Sequence, residues 1–124
     1  MKILATDMDG TFLDHLGAYD KARLENLLDA CEAKDYVFTV ASGRALLALE
    51  ELFDGFVDRI AIIAENGALV QYKGEVLFES KLEPKDYLEI ADTTLALPTC
   101  EGVLLSGRRG AYAPNDADPA YLKA

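Results

Sequence analysis

The chain has 124 residues, 51% of them hydrophobic, which is enough to build the core of one ordinary domain. Its formal net charge of -10 repels polyanions at long range, so nucleic acids and anionic membranes are disfavoured as partners. No secretory leader opens the sequence, and no apolar run approaches the roughly 18 residues of a membrane span. We therefore expect a cytoplasmic protein with no membrane partner.

The first predicted element is a strand, because Lys2 to Thr6 is almost continuously apolar, as in a parallel strand covered on both faces. Asp7, Met8 and Asp9 follow directly. Side chains alternate in an extended segment, so both carboxylates are expected on one side with Met8 turned away. Such a pair can hold a hard divalent cation, and one carboxylate can attack phosphorus while the other handles the proton. The pattern indicates phosphoryl transfer through an aspartate nucleophile.

Strands and helices then alternate. A helix is predicted from Lys21 to Ala33, because Asp20 is a suitable cap and apolar residues recur at helical spacing. A strand from Tyr36 to Ala41, a second helix and a strand from Arg59 to Ala64 follow. This order predicts a doubly wound α/β sheet with ligands at the carboxyl ends of its strands.

The pattern changes after Asn66 and Gly67. Residues 69–78 are typical of a β-hairpin. From Lys81 onward we predict a helix with Pro84 in its first turn, paired strands at 103–106 and 111–113, and a helix start at Asp118.

Three segments carry a family resemblance. Asp7 to Thr11 resembles the first signature of the haloacid dehalogenase superfamily, Asp-x-Asp-Gly-Thr after the first strand. Ser42, followed by Gly43 and Arg44, is similar to the second signature, a Ser or Thr at the end of the next strand. Residues 65–68, Glu-Asn-Gly-Ala, resemble a segment of the Cof-type sugar-phosphate phosphatases, in which a large C2-type cap follows the third strand.

The resemblance implies a role for each of these residues. Asp7 would be the nucleophile, Asp9 the general acid/base, and both would bind Mg²⁺. The phosphate or substrate would be bound by a further group: Gly10, Thr11, Ser42, Gly43, Arg44 and Asn66. Structural readings stand beside these roles: Ser42 is also a candidate helix cap, Arg44 a surface ion-pair partner, and Asn66 a turn residue.

The resemblance also implies a division of the chain and an open sheet edge. Residues 1–80 would form an incomplete Rossmann-like core, and residues 81–124 the beginning of an α/β cap that is interrupted at Ala124. The later lysine and acidic signatures are not found. The strand carrying Asp7 is central in the family, so here its far edge would be open, and we expect the chain to self-associate, to aggregate or to need a complementary segment.

Three functions remain open from sequence. The first is a Mg²⁺-dependent phosphatase of small phosphorylated metabolites such as sugar phosphates. The second is a non-catalytic fragment that binds phosphate, metal or another protein. The third is a phosphomutase on the same scaffold.

Overall fold

A five-stranded sheet organises the first part of the chain. The computed structural model describes residues 1–114, and the chain divides into two units, Met1–Ser80 and Lys81–Ala124. In the first unit the strands follow one another in the order of the sequence: β1 (Lys2–Asp7), β2 (Tyr36–Ala41), β3 (Ala61–Ala64), β4 (Leu69–Tyr72) and β5 (Glu75–Glu79). The first three strands are parallel, and the β3–β4 and β4–β5 pairs are antiparallel. The predicted α/β fold and its hairpin are confirmed.

Helix α1 (Lys21–Ala33) begins where the sequence predicts. The carboxylate of Asp20 accepts the N–H of Arg23 at 3.0 Å, which satisfies one of the unpaired donors of the first turn. The helix packs on β2 and buries Leu24, Leu28 and Cys31. The apolar spacing therefore identified its buried face correctly.

Two boundaries differ from the predicted ones. Helix α2 spans Leu46–Leu52 and Ala45 is its cap, so the prediction that Ser42 lies at a helix N-terminus is wrong. The loop after β2 is longer than the pattern suggested because Ala45 is still extended. The third strand was predicted from Arg59, but Val57–Arg59 form a single 3₁₀ turn and β3 begins at Ala61.

The strands β1 and β2 differ sharply in burial. In β2 the side chains of Phe38, Thr39 and Val40 are buried, whereas Ile3 and Leu4 of β1 are 68% and 41% exposed. Within residues 1–114, β1 pairs only with β2, so its other edge is open as expected. The prediction that β1 is covered on both faces is wrong for the part of the chain that the structure describes.

The second unit contains a helix and a short hairpin. Helix α3 (Pro84–Leu95) starts at the predicted proline. Strands β6 (Leu105–Gly107) and β7 (Gly110–Tyr112) are antiparallel and shifted slightly from their predicted positions. The helix start predicted at Asp118 lies outside the described residues. None of the helices within residues 1–114 combines the length and apolar character needed to cross a membrane.

Candidate active site

The chain coils immediately after β1. Residues Met8–Phe12 form a turn closed by a hydrogen bond of 3.0 Å from the N–H of Leu13 to the carbonyl of Met8, and within it Asp9 (φ -71°, ψ 120°) and Gly10 depart from helical geometry. Gly10 has a φ of 74°, a left-handed conformation that glycine adopts without a steric penalty. The expected extended geometry therefore ends at Asp7. The expected segregation is nevertheless present, because Met8 is fully buried while Asp7 and Asp9 are exposed.

An aromatic cluster holds the acidic turn against the core. The ring of Phe12 lies 5.4 Å from that of Tyr19, 5.6 Å from Phe38 and 6.0 Å from Phe53. The Tyr19 hydroxyl donates to the carbonyl of Leu52 at 2.9 Å. Burial, aided by Asp54, raises the pKa of the Tyr19 phenol, so it remains a donor at neutral pH. These aromatic contacts fix where the two carboxylates stand.

The loop after β2 lies beside that turn, because Asp7 is paired with Ala41 in the sheet register. The N–H of Ser42 donates to the carbonyl of Ile63 at 2.9 Å, and its hydroxyl accepts the N–H of Arg44 at 3.2 Å. A serine hydroxyl has one proton and two acceptor positions, so Ser42 retains a donor for a ligand.

A strained turn after β3 supports this loop. Glu65, Asn66 and Gly67 are consecutive left-handed residues, with φ of 53°, 54° and 93°. Each non-glycine residue in this region costs on the order of 1–3 kcal/mol and persists only where its surroundings enforce it. Two hydrogen bonds do so here, from the N–H of Glu65 to the carbonyl of Arg44 (3.1 Å) and from the N–H of Asn66 to that of Ser42 (3.3 Å).

The side chain of Asn66 packs directly on Gly43. A Cβ added to Gly43 would lie 2.8 Å from Asn66 Oδ1, closer than real Cβ atoms approach such an oxygen. Glycine at this position therefore makes room for the amide. The loops after β2 and β3 fit together as one surface at the carboxyl end of the sheet.

Arg44 joins that surface to the acidic turn. Its Nε donates to Oδ2 of Asp9 at 3.1 Å and its Nη2 to Oδ1 at 2.5 Å. Both carboxylate oxygens are thus engaged by one guanidinium, the fork geometry that favours arginine over lysine. Of the two roles left open for Arg44, this structure displays ion pairing.

The structure brings together only some of the predicted site residues. Asp9, Ser42, Gly43, Arg44 and Asn66 are linked by the contacts above, and Asp7 and Gly10 adjoin them along the chain. Thr11 is exposed within this turn, and its hydroxyl makes no hydrogen bond among residues 1–114. The sequence reasoning missed the anchoring role of Phe12 and Tyr19, although two aromatic residues on either side of the short segment 13–18 are a readable signal.

Oxygen ligands suitable for a hard cation are present, although few. Mg²⁺ is typically bound through one or two carboxylates together with substrate phosphate; the Asp7 carboxylate and the backbone carbonyl of Asp9 would be its protein ligands here. Within residues 1–114, no cluster of three or more His, Cys, Asp or Glu side chains could hold a metal ion. The donor chemistry of the two aspartates therefore fits a cation that keeps water and substrate oxygens as its other ligands.

Comparison with known proteins identifies the family. Residues 4–123 match the model of the haloacid dehalogenase-like hydrolases. The chain is 31% identical over 120 residues to 5-amino-6-(5-phospho-D-ribitylamino)uracil phosphatase YbjI of Escherichia coli K12, covering 97% of this chain and 44% of YbjI. The chain therefore belongs to the haloacid dehalogenase-like hydrolase family.

Solved structures agree with this assignment. SMU.1108c from Streptococcus mutans UA159 superposes with a TM-score of 0.88 and 31% identity, over 98% of this chain and 46% of that one. The subclass IIB sugar phosphatase BT4131 superposes with a TM-score of 0.64 and 25% identity, over 94% of this chain and 45% of its own. The chain thus spans somewhat less than half the length of these relatives.

Proposed function

We propose that this chain carries the nucleophile-bearing part of a Mg²⁺-dependent phosphatase that acts on small phosphorylated metabolites such as sugar phosphates. The observation that carries the proposal is the acidic turn, in which buried Met8 anchors two exposed aspartates beside the Ser42 loop. Family membership supports the reaction class. The names of YbjI and BT4131, a phosphoribityl-compound phosphatase and a sugar phosphatase, support the substrate class.

The proposed reaction has two steps. An Asp7 oxygen attacks phosphorus, the ester P–O bond breaks, and Asp9 gives its proton to the leaving oxygen. Water then attacks the aspartyl-phosphate while Asp9 takes a proton from it, releasing inorganic phosphate and restoring the Asp7 carboxylate. Mg²⁺ held by Asp7 and Asp9 would supply charge neutralisation between the nucleophile and the phosphoryl group.

The loop after β2 would bind the phosphoryl group and would take no part in making or breaking bonds. The Ser42 hydroxyl and the backbone N–H groups of the exposed residues Gly10, Thr11 and Gly43 are the donors that would contact phosphoryl oxygens. The Asn66 amide lies against Gly43 and would border the same pocket. Residues Lys81–Ala124 would be the beginning of the C2-type cap domain.

The test is phosphate release from a panel of sugar phosphates with Mg²⁺. We expect activity that is abolished by EDTA and reduced at least about 10³-fold by Asp7→Asn, because the amide oxygen is not a nucleophile. Phosphate release that survives Asp7→Asn in an active preparation contradicts the nucleophile assignment. An inactive parent chain favours the non-catalytic alternative.

The open edge of β1 supports a proposal for a partner, a second copy of this chain. In an antiparallel β1–β1 pair centred between Leu4 and Ala5, Lys2 of each copy stands opposite Asp7 of the other, so opposite charges meet at both ends. The exposed Ile3 would be covered in the same pairing. An unblocked apolar edge strand is a template for such association.

Light scattering at tens of micromolar protein tests this pairing, in salt that screens the repulsion between two chains of charge -10. We expect dimers for the parent chain and monomers for Ile3→Lys, because a lysine on an edge strand discourages pairing. Leu77→Lys is the matched control, since Leu77 is similarly exposed on the sheet's other edge strand, and it should leave the dimer intact. A monomeric parent chain contradicts the proposal.

A further inference from the structure

Two arginines of the first unit are paired with acids in different ways. Arg59 donates from Nε to Glu32 at 2.8 Å and from Nη2 to Asp29 at 2.7 Å, so it bridges two carboxylates on one face of α1. Arg44 places Nε and Nη2 on the two oxygens of a single carboxylate, that of Asp9. A two-point contact to one carboxylate fixes its rotation as well as its position.

The backbone of Arg44 is held on both sides. Its N–H donates to the Ser42 hydroxyl, and its carbonyl accepts the N–H of Glu65. Arg44 therefore reaches Asp9 from a base that the loops after β2 and β3 both fix. Asp9 itself lies in the turn after β1, and within residues 1–114 the guanidinium is the partner observed for its carboxylate.

Magnitudes argue against a role in folding stability. The side chains of Arg44 and Asp9 are 37% and 65% exposed, and exposed ion pairs contribute a median of about 0–1 kcal/mol. Orientation is a different matter, because proton transfer by a carboxylate depends on its placement within hydrogen-bonding reach of the reacting oxygen. The two-point contact from Arg44 therefore fixes the orientation of the Asp9 carboxylate, although it adds little to folding stability.

We infer that Arg44 is a positioning residue for Asp9, holding the carboxylate that gives and takes the proton in the orientation the reaction needs. This inference rests on the proposed function, in which Asp9 is the acid/base. It differs from the reading in which Arg44 binds the phosphoryl group directly, because the guanidinium acts through Asp9. It also explains how the loop after β2 influences chemistry that takes place on the loop after β1.

Kinetics with two leaving groups tests the inference. An alkyl phosphate needs a proton on its leaving oxygen, whereas p-nitrophenyl phosphate has a leaving group that departs as an anion. For Arg44→Ala we expect kcat/KM on the alkyl ester to fall about 10–100-fold and kcat/KM on the p-nitrophenyl ester to fall markedly less, because kcat/KM reports only the steps up to departure of the leaving group. Arg44→Lys should recover only part of the loss, because an ammonium cannot form the fork.

The matched control is Arg59→Lys, which disturbs an arginine–carboxylate pair away from the acidic turn. It should leave kcat/KM on both esters unchanged. A rise in KM with unchanged kcat for Arg44→Ala overturns the inference, because it assigns Arg44 to substrate binding. Equal losses of kcat/KM on both esters overturn it as well, because a general loosening of the loop does not distinguish leaving groups.

A second readout does not require activity. In the NMR spectrum of the parent chain we expect the Arg44 Nε–H to be protected from solvent exchange, and Asp9→Ala should remove that protection while the Arg59 Nε–H keeps its own. An Arg44 signal that is indifferent to Asp9→Ala overturns the inference. An inactive parent chain contradicts the proposed function rather than this inference. The NMR result then decides separately whether Arg44 pairs with Asp9.

Discussion

The strands β1 and β2 are neighbours in one sheet, but β1 leads into the acidic turn and β2 forms part of the hydrophobic core. Residues Leu4 and Phe38 are direct partners in the register, but Leu4 is 41% exposed while Phe38 is buried and contacts the ring of Phe12. The strand that carries the acids contributes little to the core. The strand beside it supplies the core and has α1 packed against it.

The contrast shows that the acidic turn is not positioned by the burial of its own strand. Its anchors come after the strand, in Met8, Phe12 and Leu13, and they reach into the core that β2 and α2 build. An exposed strand can therefore end in a well-placed site, provided that the residues following it are buried.

The largest expected effect is a difference in unfolding free energy between a substitution in β2 and one in β1. Phe38→Ala should lower the free energy of unfolding by about 3–5 kcal/mol, as for other buried aromatic truncations. Leu4→Ala, on the partner position, should cost about 1 kcal/mol or less, because much of that side chain already faces solvent. Urea unfolding of both variants beside the parent chain measures the difference.

In both variants the unfolding free energy should fall with urea concentration at the same slope as in the parent chain. The shift of the midpoint then reports a change in stability alone. Equal costs at the two positions would mean that β1 is as buried in solution as β2, and the comparison between the strands would fail.

A smaller effect distinguishes the loops that follow the two strands. Gly43→Ala should cost less than about 1 kcal/mol, because the new methyl group meets the end of a side chain that can rotate away rather than fixed backbone. It should nevertheless displace the Asn66 amide. Denaturant unfolding measures the cost, and the Asn66 side-chain NH₂ resonances report the displacement.

In an Asn66→Ala background the same Gly43→Ala change should cost almost nothing, since the obstructing oxygen is gone. Unshifted Asn66 resonances in Gly43→Ala would show that the two residues do not touch as described.

The smallest effect concerns the helix that covers β2. A hydrogen bond from Arg59 holds the pKa of the Glu32 carboxyl below its usual value of 4.5. A carboxyl whose pKa is lowered on folding stabilises the native state above the unfolded pKa, and this contribution is lost as the pH falls through the lower, folded value. The stability difference between the parent chain and Glu32→Gln should therefore be present at neutral pH and disappear in acid.

Urea unfolding across the acid range measures this dependence. In an Arg59→Gln background Glu32→Gln should have no pH-dependent effect of this origin, because the donor is missing. A difference that persists below the folded pKa of Glu32 would contradict the assignment.

Much of the fold could be predicted from sequence because it follows from local patterns. The helical spacing of Leu24, Leu28 and Cys31 identified α1, and the apolar run before Ser42 identified β2. The boundaries near Ser42 and Arg59 were missed, because neither the extended residue before α2 nor the 3₁₀ turn before β3 has a distinctive local composition.

The site was predictable as a set of residues but not as a geometry. Motif order placed Asp9 and Arg44 at adjacent strand ends. The fork between them depends on the turn closed from Leu13 to Met8 and on the left-handed backbone at Glu65 and Asn66. That left-handed backbone is stabilised by hydrogen bonds to the loop after β2, which is far away in sequence. Interactions of that kind leave no periodic signal.

The burial of Met8 makes the chain its own detector of movement in the acidic turn. The sequence contains two methionines, Met1 at 84% exposure and Met8 at 0%, so peroxide should convert the first to its sulfoxide long before it reaches the second. Oxidation of Met8 would then record how often the turn lifts from the core, with Met1 as the internal reference for fully open sulfur. A mass spectrum at each time point would measure the extent of Met8 oxidation. It would thereby report transient opening of the acidic turn without any label or substitution.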